Sequence, residues 1–491
     1  MNRESPYSEA VARFESSRGR PLVTVACGTT CAYLGDERNL REFLVADETA
    51  RRLRNSGHAV ISLLINDSLD PLDRRQLRVA VEKDESLIEK WEDWCGKPIA
   101  YIPDPWECHS SYAAHFEEAL LERLQSLRCF PNLVSSASLY EKGLYAPYVQ
   151  QVLRDYDKVM EFLAQRFPGY QPETLFWLVC PQCGYIDQTR IEGTDKTHVR
   201  YHCRRCQDSG SVPIEEVKGK LNWKLDCAAR WVLLNIDAEP FSKEYLEPQS
   251  GSFVVAQEIS KTFFGGHDVF PLRYGLVQMP KPMSYRLLPS LPGDVLRRVF
   301  TERATADITI TGDYVLNVAS RSQVDYGLSY LDCIKQLVPM WLLRTQFLTD
   351  RQLELVARGI NFAETFLDQD VALQLPTRDR VEGPRGDSPV PAGTLAALHR
   401  LLVDVLRLRE SRGVIWEAFC EPAKQLVASL GESKHEVISH LRAILGQKQG
   451  VPASRLLFLI PVDYLQALEY MLGLRLGYAD ERWSHKEKLA A

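Results

Sequence analysis

Four of the twelve cysteines form a pattern that can hold a metal ion. Cys180 and Cys183 in CPQCG are answered by Cys203 and Cys206 in CRRC, giving Cys-x2-Cys, nineteen residues, Cys-x2-Cys. Each knuckle turns two thiolates toward one point, and the glycine after the first permits the turn. A hairpin between the knuckles then closes a tetrahedron around zinc with no position left open. A redox dithiol would need one exposed thiol of low pKa and no second knuckle. The pattern therefore predicts a structural zinc ribbon. The other eight cysteines are scattered singly through apolar stretches and read as buried reduced thiols.

A second stretch poses a different chemistry. ACGTTCAYLGDERNLREF, Ala26 to Phe43, lies between an apolar strand pattern and a helix pattern. Bare N–H groups and the positive end of a helix make that corner an anion site, which Gly28 would let a phosphate approach. Yet it carries Asp36 and Glu37. Further on, Asp67 and Asp70 follow a second apolar run, at the carboxyl edge where open parallel sheets bind ligands. Two carboxylates there suit a cationic group.

The elements that must position these residues are legible. PLVTVACG reads as a buried strand, NLREFLVADETARRLRNSG as a helix closed by Gly57, and HAVISLLIND as a second buried strand, which together make a βαβ unit. HSSYAAHFEEALLERLQSL reads as a helix with Tyr112, Phe116, Leu120 and Leu124 on its core face. His109 and His115, six apart on that helix, would fall on different faces and hold no common metal. LNWKLDCAARWVLLNIDAEPF mixes helix and strand, and GSFVVAQEISKTFFGG is a helix stopped by two glycines. From about Tyr314 onward the pattern is helical, interrupted by the Pro- and Gly-rich Leu375 to Thr394.

Composition narrows the partners. The 491 residues carry a net charge of -6, with 45% hydrophobic and 25% charged residues. That is an ordinary globular balance, unsuited to indiscriminate nucleic-acid binding. Between His399 and Arg455 the sign reverses mildly, with nine Lys/Arg against six Asp/Glu; Arg400, Arg407, Lys424, Arg442 and Lys448 could form a local basic face. No apolar run reaches membrane-span length and the start has no signal-like core, so a cytoplasmic location is expected, with neither membrane nor DNA as partner.

Taken in order, these landmarks resemble one family, the class I lysyl-tRNA synthetases of archaea and some bacteria. GTTCAYLGDERNLREF is similar to its first signature, LLINDSLDPL to its second strand and acidic turn, and GKPIAYIPDPWECHSSYAAHF to a long distinctive block. WKLDCAARW, AEPFSKE and SGSFVVAQEIS resemble later blocks, and LRAILGQKQGVPASRLLFLIPVDYL its closing helices. The resemblance implies an α/β Rossmann-type catalytic domain in two halves, 1–170 and 219–312, split by a zinc-ribbon insertion, 171–218. It further implies a helical stem-contact region, 313–374, a mobile linker, 375–394, and an α-helical anticodon-binding domain, 395–491. Members of the family activate lysine with ATP and transfer it to tRNA.

The resemblance also marks departures. The signature written HIGH falls on Gly35, Asp36, Glu37 and Arg38, after Cys31, Ala32 and Tyr33 in place of a Pro-Ser-Gly turn. The signature written KMSKS falls on Lys281, Met283, Ser284 and Arg286, with Pro282 where a lysine stands. The signature histidines and lysines stabilise negative charge at ATP's α-phosphate; Asp36 and Glu37 would repel it, while capping their own helix well. Adenylation is therefore expected to be impaired or lost, with ATP doubtful as a cosubstrate. The amino-acid side resembles the family more closely: Gly28, Thr30, Asp67, Trp223 and Tyr274 fall around lysine, and Tyr245 replaces a histidine.

Three readings follow. The first is a repurposed paralogue that binds a lysine-like amino acid or an aminoacyl-tRNA in a specialised pathway. The second is a working lysine-tRNA ligase with unusual signatures. The third is a tRNA-binding or regulatory module without catalysis.

Overall fold

The computed structural model describes residues 6–16, 22–35, 37–247, 249–325, 327–338, 349–367, 390–412, 416–445, 452–460 and 462–477. Asp36, Lys448 and the linker from 375 to 389 lie outside them. The chain divides into two compact units, Met1–Leu287 with Leu296–Thr311, and Leu288–Val295 with Gly312–Ala491.

In the first unit, β1 (Leu22–Thr29), β2 (Ala59–Asn66) and β3 (Asn132–Ser135) come first, joined by helices. The helix Leu40–Asn55 packs on β1 and β2 through Phe43, Leu44, Ala50 and Leu53, and Gly57 ends it at φ +91°. An insertion follows, with β4 (Phe176–Leu178), β5 (Thr189–Thr194), β6 (His198–Cys203), β7 (Ser209–Pro213) and β8 (Gly219–Leu221). Antiparallel pairing of β4 with β8 makes its neck, and β5, β6 and β7 form a separate antiparallel sheet. The chain then returns through the helix Trp223–Leu233, β9 (Ala238–Ser242), the helix Ser252–Phe263 and β10 (Phe270–Tyr274).

β1, β2, β3, β9 and β10 form one parallel sheet in the order β10-β9-β1-β2-β3. Val23, Val25 and Ala26 of β1 are buried, as expected of a strand covered on both faces. The order reverses at β1, which has β2 on one side and β9 on the other. Its carboxyl edge is therefore the crevice where such sheets take ligands.

The second unit is mainly helical. Ala392–Arg412, Trp416–Ala428, Lys434–Ile444, Ala453–Leu459 and Val462–Leu476 bury Leu398, Val405, Phe419, Leu441, Leu456 and Leu468. Arg409 is buried with them and donates to the carbonyls of Leu457, Phe458 and Ile460, satisfying groups that a helix end leaves bare. Among the described residues no helix is long and apolar enough to cross a membrane.

Candidate functional site

The crevice at the β1 switch point gathers most of the residues expected around an amino acid. Gly28, the last residue but one of β1, lies against the guanidinium of Arg230, and a side chain there would begin 3.1 Å from Nη2. Arg230 is fully buried and lies over the Trp223 ring at 4.7 Å, two helical turns further along the same helix face. It reaches Asp67 at 3.3 Å and donates to Glu239 at 3.0 Å. Asp67 and Trp223, expected to receive an ammonium and its alkyl stem, are thus both engaged by a cation of the chain itself. Trp223 remains only partly buried.

Beside them Thr30 donates to Asp70 at 2.5 Å, and Lys220, delivered by β8, donates to the other Asp70 oxygen at 2.5 Å. Tyr140 and Tyr145 donate to buried Asp226 at 2.6 and 3.3 Å. On the far wall Tyr274 donates to Glu42 at 2.8 Å, and Tyr245 stands exposed nearby. Carboxylates therefore outnumber cations: Glu42, Asp67, Asp70, Asp226 and Glu239 against Lys220 and Arg230.

Burial, more than that imbalance, raises two of these acids. Burial pushes Glu42 up to about 7, against the pull of the Tyr274 hydroxyl, with Glu239 adding to the rise and the Gly28 backbone and Arg230 opposing it. Burial also raises Asp67, with Arg230 and Lys220 opposing. Burial alone would disfavour the Lys220 ammonium, but Asp70, Asp67 and Asp226 hold it above its ordinary range.

Glu42, Lys220 and Arg230 did not stand out in the sequence. Arg230 carries a signal, its seven-residue spacing from Trp223, which sets both on one helix face. Glu42 carries less, being one acid among several on its helix.

The two signature regions meet. Glu37, buried in the short 3-10 turn Glu37–Asn39, accepts a hydrogen bond from the backbone N–H of Tyr285 at 2.6 Å. The helix Leu40–Asn55 instead takes Asn39 as its N-cap, without a side-chain bond, so Glu37 is bonded to this distant segment where a local cap was expected. One turn on, Arg41 donates to the Gly275 and Leu276 carbonyls at 2.9 and 3.2 Å and also reaches that of Arg303. Lys281 and Arg286 are exposed, Met283 and Ser284 half-buried, and Arg38 exposed.

Two clusters can hold metal. Cys180 and Cys206 lie 3.6 Å apart at sulfur, as do Cys183 and Cys203, and all four sulfurs fall within 4.8 Å of one another. A tetrahedron with zinc–sulfur bonds of about 2.3 Å has edges of roughly 3.8 Å, so the set fits zinc. Gly184, at φ +78°, makes the knuckle turn.

The second cluster corrects an expectation. His109 and His115 do not share a helix, because the helix begins only at Tyr112. Buried Asp104 accepts the backbone N–H groups of Trp106, Cys108 and His109, and this turn folds His109 back against His115, ring centroids 5.0 Å apart. Cys108 sulfur lies 3.1 Å from Asp104, 3.1 Å from His109 Nδ1 and 3.3 Å from His115 Nδ1. His109 Nε2 meets Glu118, the outer carboxylate that orients many metal-bound histidines. One Asp, one Cys and two His with ligand atoms within 4.8 Å suit zinc as well.

Comparison with known proteins bears on these sites. A family profile described as "tRNA synthetases class I (K)" matches residues 7–285. A protein of Archaeoglobus fulgidus named lysine–tRNA ligase is 32% identical over 244 residues, 49% of this chain and 47% of that protein. Lysine–tRNA ligase 1 of Methanosarcina acetivorans is 29% identical over 253 residues, 50% of this chain and 44% of that protein. The matches thus span about half the length of these curated relatives. A solved glutamate tRNA ligase from Elizabethkingia meningosepticum covers 92% of this chain and 99% of its own at 11% identity and a TM-score of 0.37, too loose a likeness to argue from.

Proposed function

This chain belongs to the class I tRNA synthetase family of the lysine type, and we propose that it binds lysine or a lysine-like amino acid at the β1 crevice and joins it to tRNA. One observation carries the reading: the crevice holds more buried carboxylate than its own Lys220 and Arg230 neutralise. An ammonium-bearing guest completes the balance. In this reading Glu42, the half-buried acid of the far wall, takes the charge while Tyr274 orients it, and the free part of the Trp223 surface covers an alkyl stem. The four cysteines hold a structural zinc that ties the insertion together. Residues 313–374 meet the tRNA stem and 395–491 the anticodon.

A second reading, in which the amino acid is held without adenylation, is favoured by the bond from Tyr285 to Glu37. An acid there opposes a phosphate, and the segment carrying the second signature is tied to it.

Lysine-dependent exchange of pyrophosphate into ATP, run beside calorimetric titration with lysine alone, separates the readings. Exchange with binding supports the ligase. Binding without exchange supports the second reading, and the absence of both removes lysine.

A further inference from the structure

We propose that Asp70, gripped by Lys220, is a positioning residue that takes the only hydrogen of Thr30 and so makes that hydroxyl a pure acceptor toward the crevice. The assignment rests on the reading of the crevice as the amino-acid site and adds the polarity with which it reads its guest.

A threonine hydroxyl has one hydrogen and two lone pairs, and its hydrogen rotates to the best acceptor. Thr30 directly follows β1, at the switch point, and is half-buried. Its Oγ1 lies 2.5 Å from Asp70 Oδ2. A carboxylate can only accept, so the hydrogen goes to Asp70 and the lone pairs face the crevice.

Asp70 is itself fixed from three sides. Its N–H donates to the Asp67 carbonyl at 2.9 Å, and its own carbonyl accepts from Ile99 at 3.0 Å. Lys220 Nζ donates to Oδ1 at 2.5 Å, and the Lys220 side chain is 4% exposed. Lys220 stands opposite Trp177 in the β4–β8 neck, so the strand that closes the zinc-bearing insertion supplies the cation paired with Asp70.

The same logic holds across the crevice. Tyr274 spends its hydrogen on Glu42 at 2.8 Å. Two hydroxyls that could have donated to a carbonyl or carboxylate both present acceptors. The rim thus selects N–H donors and rejects an anionic side chain.

A double-mutant cycle tests this. Lysine binding is measured by calorimetry for the unaltered chain, Thr30→Val, Asp70→Asn and the pair. Each single change should weaken binding about tenfold, the size of one hydrogen bond to a charged group. If Asp70 acts through Thr30, the pair should bind no worse than Thr30→Val alone, and Thr30→Ser should bind nearly as the unaltered chain does. Losses that add in the pair overturn the proposal. Should Asp70→Asn fail to fold because Lys220 is left in the interior without its carboxylate, Asp70→Asn with Lys220→Met removes both charges and carries the cycle. Thermal unfolding of the same proteins needs no ligand. Non-additive Tm losses without any lysine binding would leave the grip on Thr30 standing and remove the lysine reading, and additive Tm losses overturn the grip itself.

Discussion

Glu37 accepts the backbone N–H of Tyr285 at 2.6 Å, joining two segments 248 residues apart in the chain. The acid is buried, Tyr285 sits at φ +63°, and Arg41 ties the preceding residues, Gly275 and Leu276, to the same helix. The corner that would hold ATP's phosphates therefore offers a carboxylate bonded to the very segment that would close over them. Removing the charge and keeping the shape should relieve repulsion and loosen the tie together. Glu37→Gln is expected to tighten ATP binding about five- to thirtyfold, the range of 1–2 kcal/mol. Titration with the magnesium complex of ATP checks this, and an unchanged Kd would separate Glu37 from the nucleotide site.

Metal content should come to about two zinc ions per chain in protein prepared without chelators. The four-cysteine set closes a tetrahedron, and Asp104, Cys108, His109 and His115 bring four more ligand atoms within 4.8 Å. Cys203→Ser should reduce the content by about one ion and loosen the insertion. His115→Ala should reduce it by about one without disturbing the ribbon. Atomic emission on each variant reads the count, and full zinc in His115→Ala would assign the second cluster to hydrogen bonding alone.

The contrast between those clusters shows what a sequence carries. Cys180, Cys183, Cys203 and Cys206 are legible because spacing alone sets knuckle geometry. The same holds for β1 and the helix Leu40–Asn55, whose apolar periods match their burial, whereas β2 forms where expected but is buried only from Leu64 to Asn66, with Ala59 and Ile61 exposed. Helix periodicity runs on through His109, but the helix starts three residues later, after a turn that the Asp104 side chain holds. Lys220 and Asp70 meet across 150 residues, through the pairing of β4 with β8, and no local pattern announces such a contact. Glu37 showed its charge in the sequence but not its partner.

Stability should fall as pH rises through neutrality. Burial holds Glu42 near 7 and raises Asp67 in the same direction. A carboxyl whose pKa is higher folded than unfolded binds its proton more tightly in the folded state. Its contribution is therefore fully present below the ordinary carboxylate range and lost as pH rises through about 7. Glu42 faces Tyr274, Tyr245, Glu239, Arg230 and the Gly28 backbone, so the acid next to it is not neutralised by Arg230 alone. Tm should decline across that window, and Glu42→Gln should flatten the decline. A cationic guest reverses the sign, because it binds the ionised form, so lysine affinity should climb over the same interval. A Tm that rises from pH 5 to 8 would contradict the buried acid excess.

tRNA binding, if the helical unit provides it, must come from a local face, because the whole chain carries a net charge of -6. Arg400 and Arg407 are exposed on the helix Ala392–Arg412 and Lys424 on the helix Trp416–Ala428, while Arg442 on Lys434–Ile444 is half-buried. Arg407 pairs with Asp404 at 3.6 Å and Lys424 with Glu421 at 3.1 Å, but their side chains remain 74% and 57% exposed. Such exposed pairs contribute little and yield readily to a phosphate. Each phosphate contact releases counterions, so the logarithm of affinity should fall with the logarithm of salt by about 0.7 to 0.9 per contact. Replacing Arg400, Arg407 and Lys424 together by Ala should therefore flatten the slope by about two and leave the fold intact, since none of the three is buried. Filter retention of labelled lysine tRNA over a salt series measures both slopes. An unchanged slope in the triple variant would place the contacts elsewhere, and negligible retention by the folded, unaltered chain at every salt concentration would remove tRNA from its chemistry.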